Sequence, residues 1–120
     1  MRHRLSRSSP FAPEALFDLV GDVARYPEFV PWVRSLRTWN ARTEADGATW
    51  LDAEVQVAFG PVRERFSTRV RRDPALRRID VDLISGPFRR LRNRWDFAAQ
   101  DGGTRIDFDI DFEFRSRLLE

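Results

Sequence analysis

The sequence predicts an α+β domain built on an antiparallel sheet, and three observations support that prediction. Five consecutive segments alternate apolar and polar residues, which is the pattern of strands with one buried face. Short turn sequences separate these segments, so that neighbours in the chain are expected to pair as hairpins. One stretch near the amino end has the spacing of an amphipathic helix. A chain of 120 residues has room for a single domain, 1–120.

The elements are predicted in the following order. A strand over 1–8 precedes an amphipathic helix over 13–23, in which Pro13 suits the first turn. Asp22 is predicted to cap a second, short helix that stops at Tyr26-Pro27. The further strands are predicted over 32–45, 49–59, 62–72, 78–85, 88–98 and 104–115. The turns between them are predicted at 45–47, 60–61, 73–76 and 100–103.

One face of the predicted sheet is strongly apolar. It carries Val55, Val57, Phe59, Phe66, Val70, Leu83, Leu91, Trp95, Phe97, Phe108, Ile110 and Phe112. Glu64 and Asn93 interrupt this face, and they either reach solvent near strand ends or orient a ligand in an apolar pocket. A helix of about a dozen residues is only ~18 Å long and cannot cover so much sheet. Another helix, a partner or an apolar ligand is therefore expected against it.

The other face alternates in charge from strand to strand. Strands 49–59, 78–85 and 104–115 are acidic there, whereas 62–72 and 88–98 are basic, so ion pairs are expected across neighbouring strands. This favours a solvated outer face over a nucleic-acid surface, and the formal charge of +2 is weak support for the latter. The arginines outside this pattern are candidate contacts for RNA or an acidic partner: Arg2, Arg4, Arg7, Arg34, Arg37 and Arg42.

Composition excludes several kinds of site. The chain has no cysteine and one histidine, His3, which excludes disulfides, thiolate chemistry, Ser-His-Asp catalysis and multi-histidine zinc sites. We predict no metal and no cofactor. No apolar run reaches the ~20 residues of a membrane-spanning helix, and residues 1–12 lack the apolar core of a signal peptide. A cytoplasmic location is therefore expected, with peripheral contact to the inner membrane as an alternative.

Several motifs resemble, in order and spacing, the coenzyme Q-binding START-like family of the polyketide cyclase/dehydrase superfamily. They lie at 16–23, 26–32, 63–66, 86–88, 95–97 and 112–116. The resemblance implies a helix-grip fold, which is a curved seven-stranded antiparallel sheet with two small helices between its first two strands. The family's long C-terminal helix crosses the concave face, but this chain stops at Glu120, so we expect that helix to be missing and the domain to be truncated. An open apolar face would then favour dimerisation.

The resemblance implies a hydrophobic ligand, ubiquinone or another lipid, bound in the groove of the sheet without catalytic residues. The predicted ligand-binding residues are Tyr26, Phe29, Pro31, Trp32, Val57, Phe59, Glu64, Phe66, Phe88, Leu91, Asn93, Trp95, Phe108 and Phe112. Such a protein would support respiratory quinone function. Bacterial relatives are described as ribosome-association toxins, so binding of ribosomal subunits is the first alternative. An aromatase/cyclase-like enzyme is the second, with Glu64 as the ionisable group that faces inward.

Overall fold

The computed structural model describes residues 1–115, apart from the side chains of Phe29, Phe59 and Val62. Its elements are β1 (Arg2–Ser9), α1 (Pro13–Gly21), a 3-10 turn (Val23–Arg25), α2 (Tyr26–Phe29), β2 (Val33–Thr43), β3 (Thr49–Phe59), β4 (Val62–Asp73), β5 (Arg78–Ser85), β6 (Phe88–Gln100) and β7 (Gly103–Phe114). The predicted curved seven-stranded sheet with two short helices is confirmed. Residues 116–120, where the expected C-terminal helix would begin, lie outside the described residues.

All neighbouring strands of the sheet are antiparallel. Their order is β1-β7-β6-β5-β4-β3-β2, so β2 to β7 form a meander and β1 pairs with the last strand. Consecutive hairpins therefore turn at opposite ends of the sheet. The first end, here named the helix-covered end, holds the turns at 44–48, 74–77 and 101–102. The second, named the open end, holds the turns at 60–61 and 86–87, the start of β2 and the end of β7.

The hydrophobic core lies under α1 at the helix-covered end. Phe17 is the buried aromatic residue of α1, and its ring meets that of Phe97 edge-on at 6.4 Å. The buried cluster consists of Phe17, Val23, Leu51, Ala53, Val70, Ile79 and Phe97. Its strand members lie on the face that the alternation predicted. Because α1 has only nine residues, it covers one end of the sheet and leaves the rest of the concave face to other side chains.

The second helix differs from the prediction. A 3-10 turn follows Asp22, and α2 begins at Tyr26 instead of the helix ending there. Pro27 occupies the first turn of α2, where its missing N–H removes no intrahelical hydrogen bond. The Asp22 side chain makes no capping hydrogen bond, and α1 ends at Gly21. The hydroxyl of Tyr26 instead donates to the carbonyl of Val20, which ties α2 to α1.

Two predicted turns at the helix-covered end are stabilised by the residues that predicted them. Asp73 accepts hydrogen bonds from the backbone N–H groups of Leu76 and Ala75 at 3.2 and 3.0 Å. These bonds, that to Leu76 first, favour the charged carboxylate and hold the pKa of Asp73 below its usual value. Gly102 has a φ of 78°, which glycine adopts without strain. At Gly103 a Cβ would lie 1.9 Å from the carbonyl oxygen of Ser9, so no larger residue fits.

The convex face carries the predicted ladder of charges. Ion pairs join neighbouring strands as Arg69–Asp52, Arg65–Glu54, Arg94–Asp80, Arg92–Asp82 and Arg90–Asp111. Most of these side chains are substantially exposed, but Asp52 is 4% exposed and also accepts from Asn40. The arginine that donates to Asp52 is the main reason that its pKa lies below the usual range.

Three of the six arginines predicted to lie outside the ladder belong to it. Arg2 and Arg4 pair with Asp109 at 2.8 and 3.4 Å, and Arg37 pairs with Glu54 at 3.5 Å. The reason is that β1 runs beside β7 and β2 beside β3, which extends the alternation to both edges of the sheet. The other three have no carboxylate within 4 Å among residues 1–115: Arg7, Arg34 and Arg42.

Candidate functional site

A cavity of about 390 Å³ lies against the concave face, towards the open end. Its volume falls in the range of small-molecule sites, roughly 300–1,000 Å³. Its lining is almost entirely hydrophobic. The lining residues are Val23, Tyr26, Trp32, Val33, Leu36, Ala53, Val55, Val57, Phe66, Thr68, Val70, Ile79, Val81, Phe88, Leu91, Asn93, Trp95, Ile110, Phe112 and Phe114.

Most of the predicted site residues meet at this cavity. Those that line it are Tyr26, Trp32, Val57, Phe66, Phe88, Leu91, Asn93, Trp95 and Phe112. Phe108 is not part of the lining, but its ring meets that of Trp95 edge-on at 4.6 Å. Pro31 is exposed and Glu64 is half-buried, and neither lines the cavity. The side chains of Phe29 and Phe59 lie outside the described residues. Whether these residues bind a ligand stays a prediction.

Strand alternation had placed several further lining residues on the same face, including Val55, Val70 and Ile110. The pattern gave no signal for Val33 and Leu36 of β2. That strand has register irregularities after Val33 and between Trp39 and Arg42, which break its period of two. Side chains on an irregular strand cannot be assigned to a face by counting, so this wall of the cavity was missed.

The aromatic residues of the cavity concentrate at the open end. The ring of Phe88 lies at the centre of this group, with centroids of Phe114, Phe66 and Phe112 at 4.9, 5.3 and 6.4 Å. Edge-on and offset contacts of this kind stabilise aromatic pairs beyond the area that they bury. Trp32 lies at the rim, with half of its surface exposed. The open end is thus apolar inside and only partly covered.

Three polar side chains of the lining, Tyr26, Asn93 and Trp95, make hydrogen bonds within the protein. Asn93 donates through Nδ2 to the carbonyl of Asp109 at 2.9 Å and accepts from Nε1 of Trp95 at 2.9 Å. This pair of bonds fixes both the amide and the indole on β6. Burial raises the pKa of Tyr26 to about 12, so its hydroxyl stays protonated at neutral pH.

The cavity is suited to binding and poorly equipped for proton transfer. Among the described residues its lining includes no Asp, Glu, His or Arg side chain. General acid–base catalysis works best with a group whose pKa is near the operating pH, and Tyr26 is far from it. Residues 1–115 also hold no group of three His, Cys, Asp or Glu side chains arranged for a metal ion.

Comparison with known proteins agrees with this geometry. The family model described as polyketide cyclase/dehydrase and lipid transport matches residues 9–120. A ribosome association toxin, RatA, of Pseudomonas aeruginosa is 34% identical over all of this chain and 81% of its own. A mitochondrial coenzyme Q-binding protein of Schizosaccharomyces pombe is 34% identical over 97% of this chain and 71% of its own.

Solved structures show the same fold. An 18 kDa protein of Caulobacter crescentus superposes with a TM-score of 0.83 at 50% identity, covering 99% of this chain and 80% of that one. An aromatase/cyclase of Streptomyces has a TM-score of 0.81 at 15% identity, over 97% of this chain and 69% of its own, which shows a shared fold alone. No helix among the described residues has the length and apolar character needed to cross a bilayer. The chain belongs to the polyketide cyclase/dehydrase and lipid transport family of START-like proteins.

Proposed function

We propose that the protein binds a hydrophobic small molecule, ubiquinone or another lipid, in the cavity without transforming it, and so supports respiratory quinone function. The observation that carries this proposal is the lining, which is apolar on nearly every side and in which Tyr26, Asn93 and Trp95 each make a hydrogen bond within the protein. The name of the coenzyme Q-binding relative supports the same class of ligand.

Apolar contact alone supplies enough free energy for such a ligand. Each methylene group moved from water into the cavity contributes about 0.8 kcal/mol, so about ten buried carbons, or two isoprenoid units, contribute about 8 kcal/mol, the free energy of a micromolar complex before the entropic cost of association. Asn93 donates one of its two Nδ2 hydrogens to the carbonyl of Asp109. Its second hydrogen is the natural donor to a carbonyl oxygen on the ligand's head group. This arrangement orients a ligand that is polar at one end and apolar along the rest.

The same features argue against a cyclase. An enzyme of that kind needs an acid or base within hydrogen-bond reach of its substrate. Glu64, the ionisable candidate suggested by strand alternation, does not line the cavity. The hydroxyl of Tyr26 donates a hydrogen bond to the carbonyl of Val20, and burial raises the pKa of Tyr26 to about 12.

The experiment is titration of the protein with a short-chain ubiquinone analogue, followed by calorimetry and by quenching of tryptophan fluorescence. Trp95→Ala should weaken binding by about 1–3 kcal/mol, which is roughly 5- to 150-fold, through loss of apolar contact. Arg92→Ala on the convex face is the matched control on the same strand and should bind as the parent does. Equal affinity of the Trp95 variant and the parent would contradict the proposal.

A second candidate is binding of ribosomal subunits, and the relatives named as ribosome association toxins favour it. Such a surface needs cations that are not neutralised. Many of the arginines on the convex face have carboxylate partners, which counts against it. Cosedimentation with ribosomal subunits that weakens steeply with salt, together with no binding of quinone, would favour this candidate.

A further inference from the structure

The rim of the open end carries arginines without carboxylate partners. Arg34 follows the first residue of β2, Arg63 follows the first residue of β4, and Arg115 follows the last residue of β7. No carboxylate lies within 4 Å of these three guanidinium groups in the part of the chain that the structure describes. The Nε of Arg115 donates to the carbonyl of Phe88 at 3.1 Å, which positions the charge without neutralising it.

The opposite end of the sheet is different. At the helix-covered end, Arg71 lies within 4 Å of three carboxylates, those of Glu44, Asp46 and Asp73. Arg77 in the neighbouring turn pairs with Glu14 at 2.9 Å. Arg71 and Arg77 are therefore compensated by carboxylates. Arg7, Arg42 and Arg72 near this end also lack a carboxylate within 4 Å among residues 1–115, and Arg72 instead donates to Thr49 and to the carbonyl of Gly21. What distinguishes the open end is that its unpaired arginines lie at the same end of the sheet as the exposed rim of the cavity.

Exposed apolar side chains accompany the unpaired arginines. Trp32 is 50% exposed and Ile84, near the end of β5, is 44% exposed. The backbone of Trp32 is fixed, because its carbonyl accepts a hydrogen bond from Ala58 at 2.9 Å. Tryptophan is the residue type most suited to a boundary between water and hydrocarbon, since its ring is amphipathic. Trp32 also lines the cavity, so its exposed ring is continuous with the cavity.

We propose that the open end docks onto an anionic lipid bilayer, with Trp32 and Ile84 at the head-group level and the three rim arginines against the lipid phosphates. Glu64 is the rim carboxylate that has no cationic partner within 4 Å among residues 1–115, so an excess of positive charge remains. Docking in this orientation turns the cavity towards the membrane. The identity of a ligand that passes between the bilayer and the cavity rests on the proposed function. Docking of the open end onto the bilayer does not depend on that function.

A bilayer fits these features better than RNA does. Unneutralised arginines suit either polyanion. The rim arginines, however, lie at the same end of the sheet as an apolar opening with a half-exposed indole at its edge, and an apolar opening gains nothing from a phosphodiester backbone. Insertion of Trp32 and Ile84 into a lipid interface removes their apolar surface from water.

The test is cosedimentation of the full chain with vesicles of phosphatidylcholine alone and of phosphatidylcholine mixed with phosphatidylglycerol. Binding should require the anionic lipid and should weaken as salt is raised. Arg34→Gln and Arg63→Gln should each weaken binding by about fivefold, and Trp32→Ala should weaken it by at least as much. Arg7→Gln is the matched control, since Arg7 is also exposed and unpaired but lies near the helix-covered end.

Three outcomes would overturn the docking proposal. One is no difference between the two vesicle types, and another is an Arg7→Gln variant that loses as much binding as the rim variants. The third is a set of rim variants that lose binding to ribosomal subunits but retain binding to vesicles. Titration with the soluble quinone analogue in the absence of lipid separates the two proposals, because failed docking leaves that binding intact.

Discussion

The concave face of the sheet excludes water at one end and leaves a cavity at the other, whereas arginine and carboxylate side chains cover the convex face and remain in solvent. In β3 to β7, alternate residues of each strand contribute to the two faces. Burial stabilises the first face and makes it sensitive to the shape of each side chain. Exposed ion pairs contribute little on the second face, where single changes are expected to be tolerated.

The largest effect is expected from truncation in the helix-covered core. Phe97 is 1% exposed and packs against Phe17 and Trp95. Phe97→Ala should lower the free energy of unfolding by about 3–5 kcal/mol, measured by urea denaturation. Phe108→Ala, on the same face but only half-buried, is the matched comparison and should cost less. Equal losses for the two variants would mean that the concave face is buried evenly along its length.

A smaller loss of stability is expected from a change at Asn93, where the cavity wall is polar. Asn93→Leu removes the acceptor for Trp95 and the donor to Asp109, so it should lower the free energy of unfolding by about 1–3 kcal/mol. Thermal denaturation followed by circular dichroism measures the change. Leu91→Met, a conservative replacement on the same face of β6, should cost less than about 1.5 kcal/mol. A neutral Asn93 variant would show that the two hydrogen bonds are replaced by other contacts.

Asp52, the buried carboxylate of the convex face, should contribute to the pH dependence of the free energy of unfolding. The folded-state pKa of Asp52 lies below its unfolded value, chiefly through the hydrogen bond from Arg69. Its contribution is therefore present above the unfolded pKa of about 3.9 and is lost as the pH falls through the lowered folded value. In Asp52→Asn the acid loss of stability should be shallower, measured as melting temperature from neutral to acid pH. A slope equal to the parent's in Asp52→Asn would contradict this assignment.

The smallest effect is expected in the exposed part of the ladder. The Arg92 side chain is 82% exposed and meets Asp82 at 3.2 Å. Arg92→Glu should cost less than about 1 kcal/mol, and the cost should shrink at high salt because the charges are screened by solvent. Arg92→Gln, which removes the charge without reversing it, should cost less still. A loss of stability that salt does not change would show that Arg92 acts through packing.

Period-two alternation predicted the meander and its two faces because β3 to β7 are long, largely regular and half-buried. In such strands, the side chains of Trp95 and Phe97 must share a face. The same reasoning failed at β2, where irregular register leaves Val33 and Leu36 without a readable pattern. It also failed at α2, because a proline in a first turn and a proline after a helix look alike in the sequence.

The charges were predicted only within the meander. Arg2 and Arg4 appeared unpaired because their carboxylate partner, Asp109, is about a hundred residues away along the chain. Pairing of β1 with β7 joins the first and last strands of the chain and has no local signal. The candidate site was likewise predicted from strand faces and a family resemblance. That Glu64 is half-buried and does not line the cavity could be learned only from the three-dimensional structure.

The uniform columns of the sheet have a consequence for how its strands find their partners. Towards the open end of β6 and β7, three outward arginines, Arg90, Arg92 and Arg94, face three carboxylates in a row, and the inward residues of both strands are nearly all apolar. A slip of two residues would preserve both patterns, so neither charge nor hydrophobicity selects the native alignment. The tight turn at Gly102, together with the close approach of Ser9 to Gly103, provides that selection. Inserting two residues into this turn would therefore allow β6 and β7 to pair with their alignment shifted by two residues. Neither the charges nor the apolar residues of the two strands would oppose this misaligned hairpin.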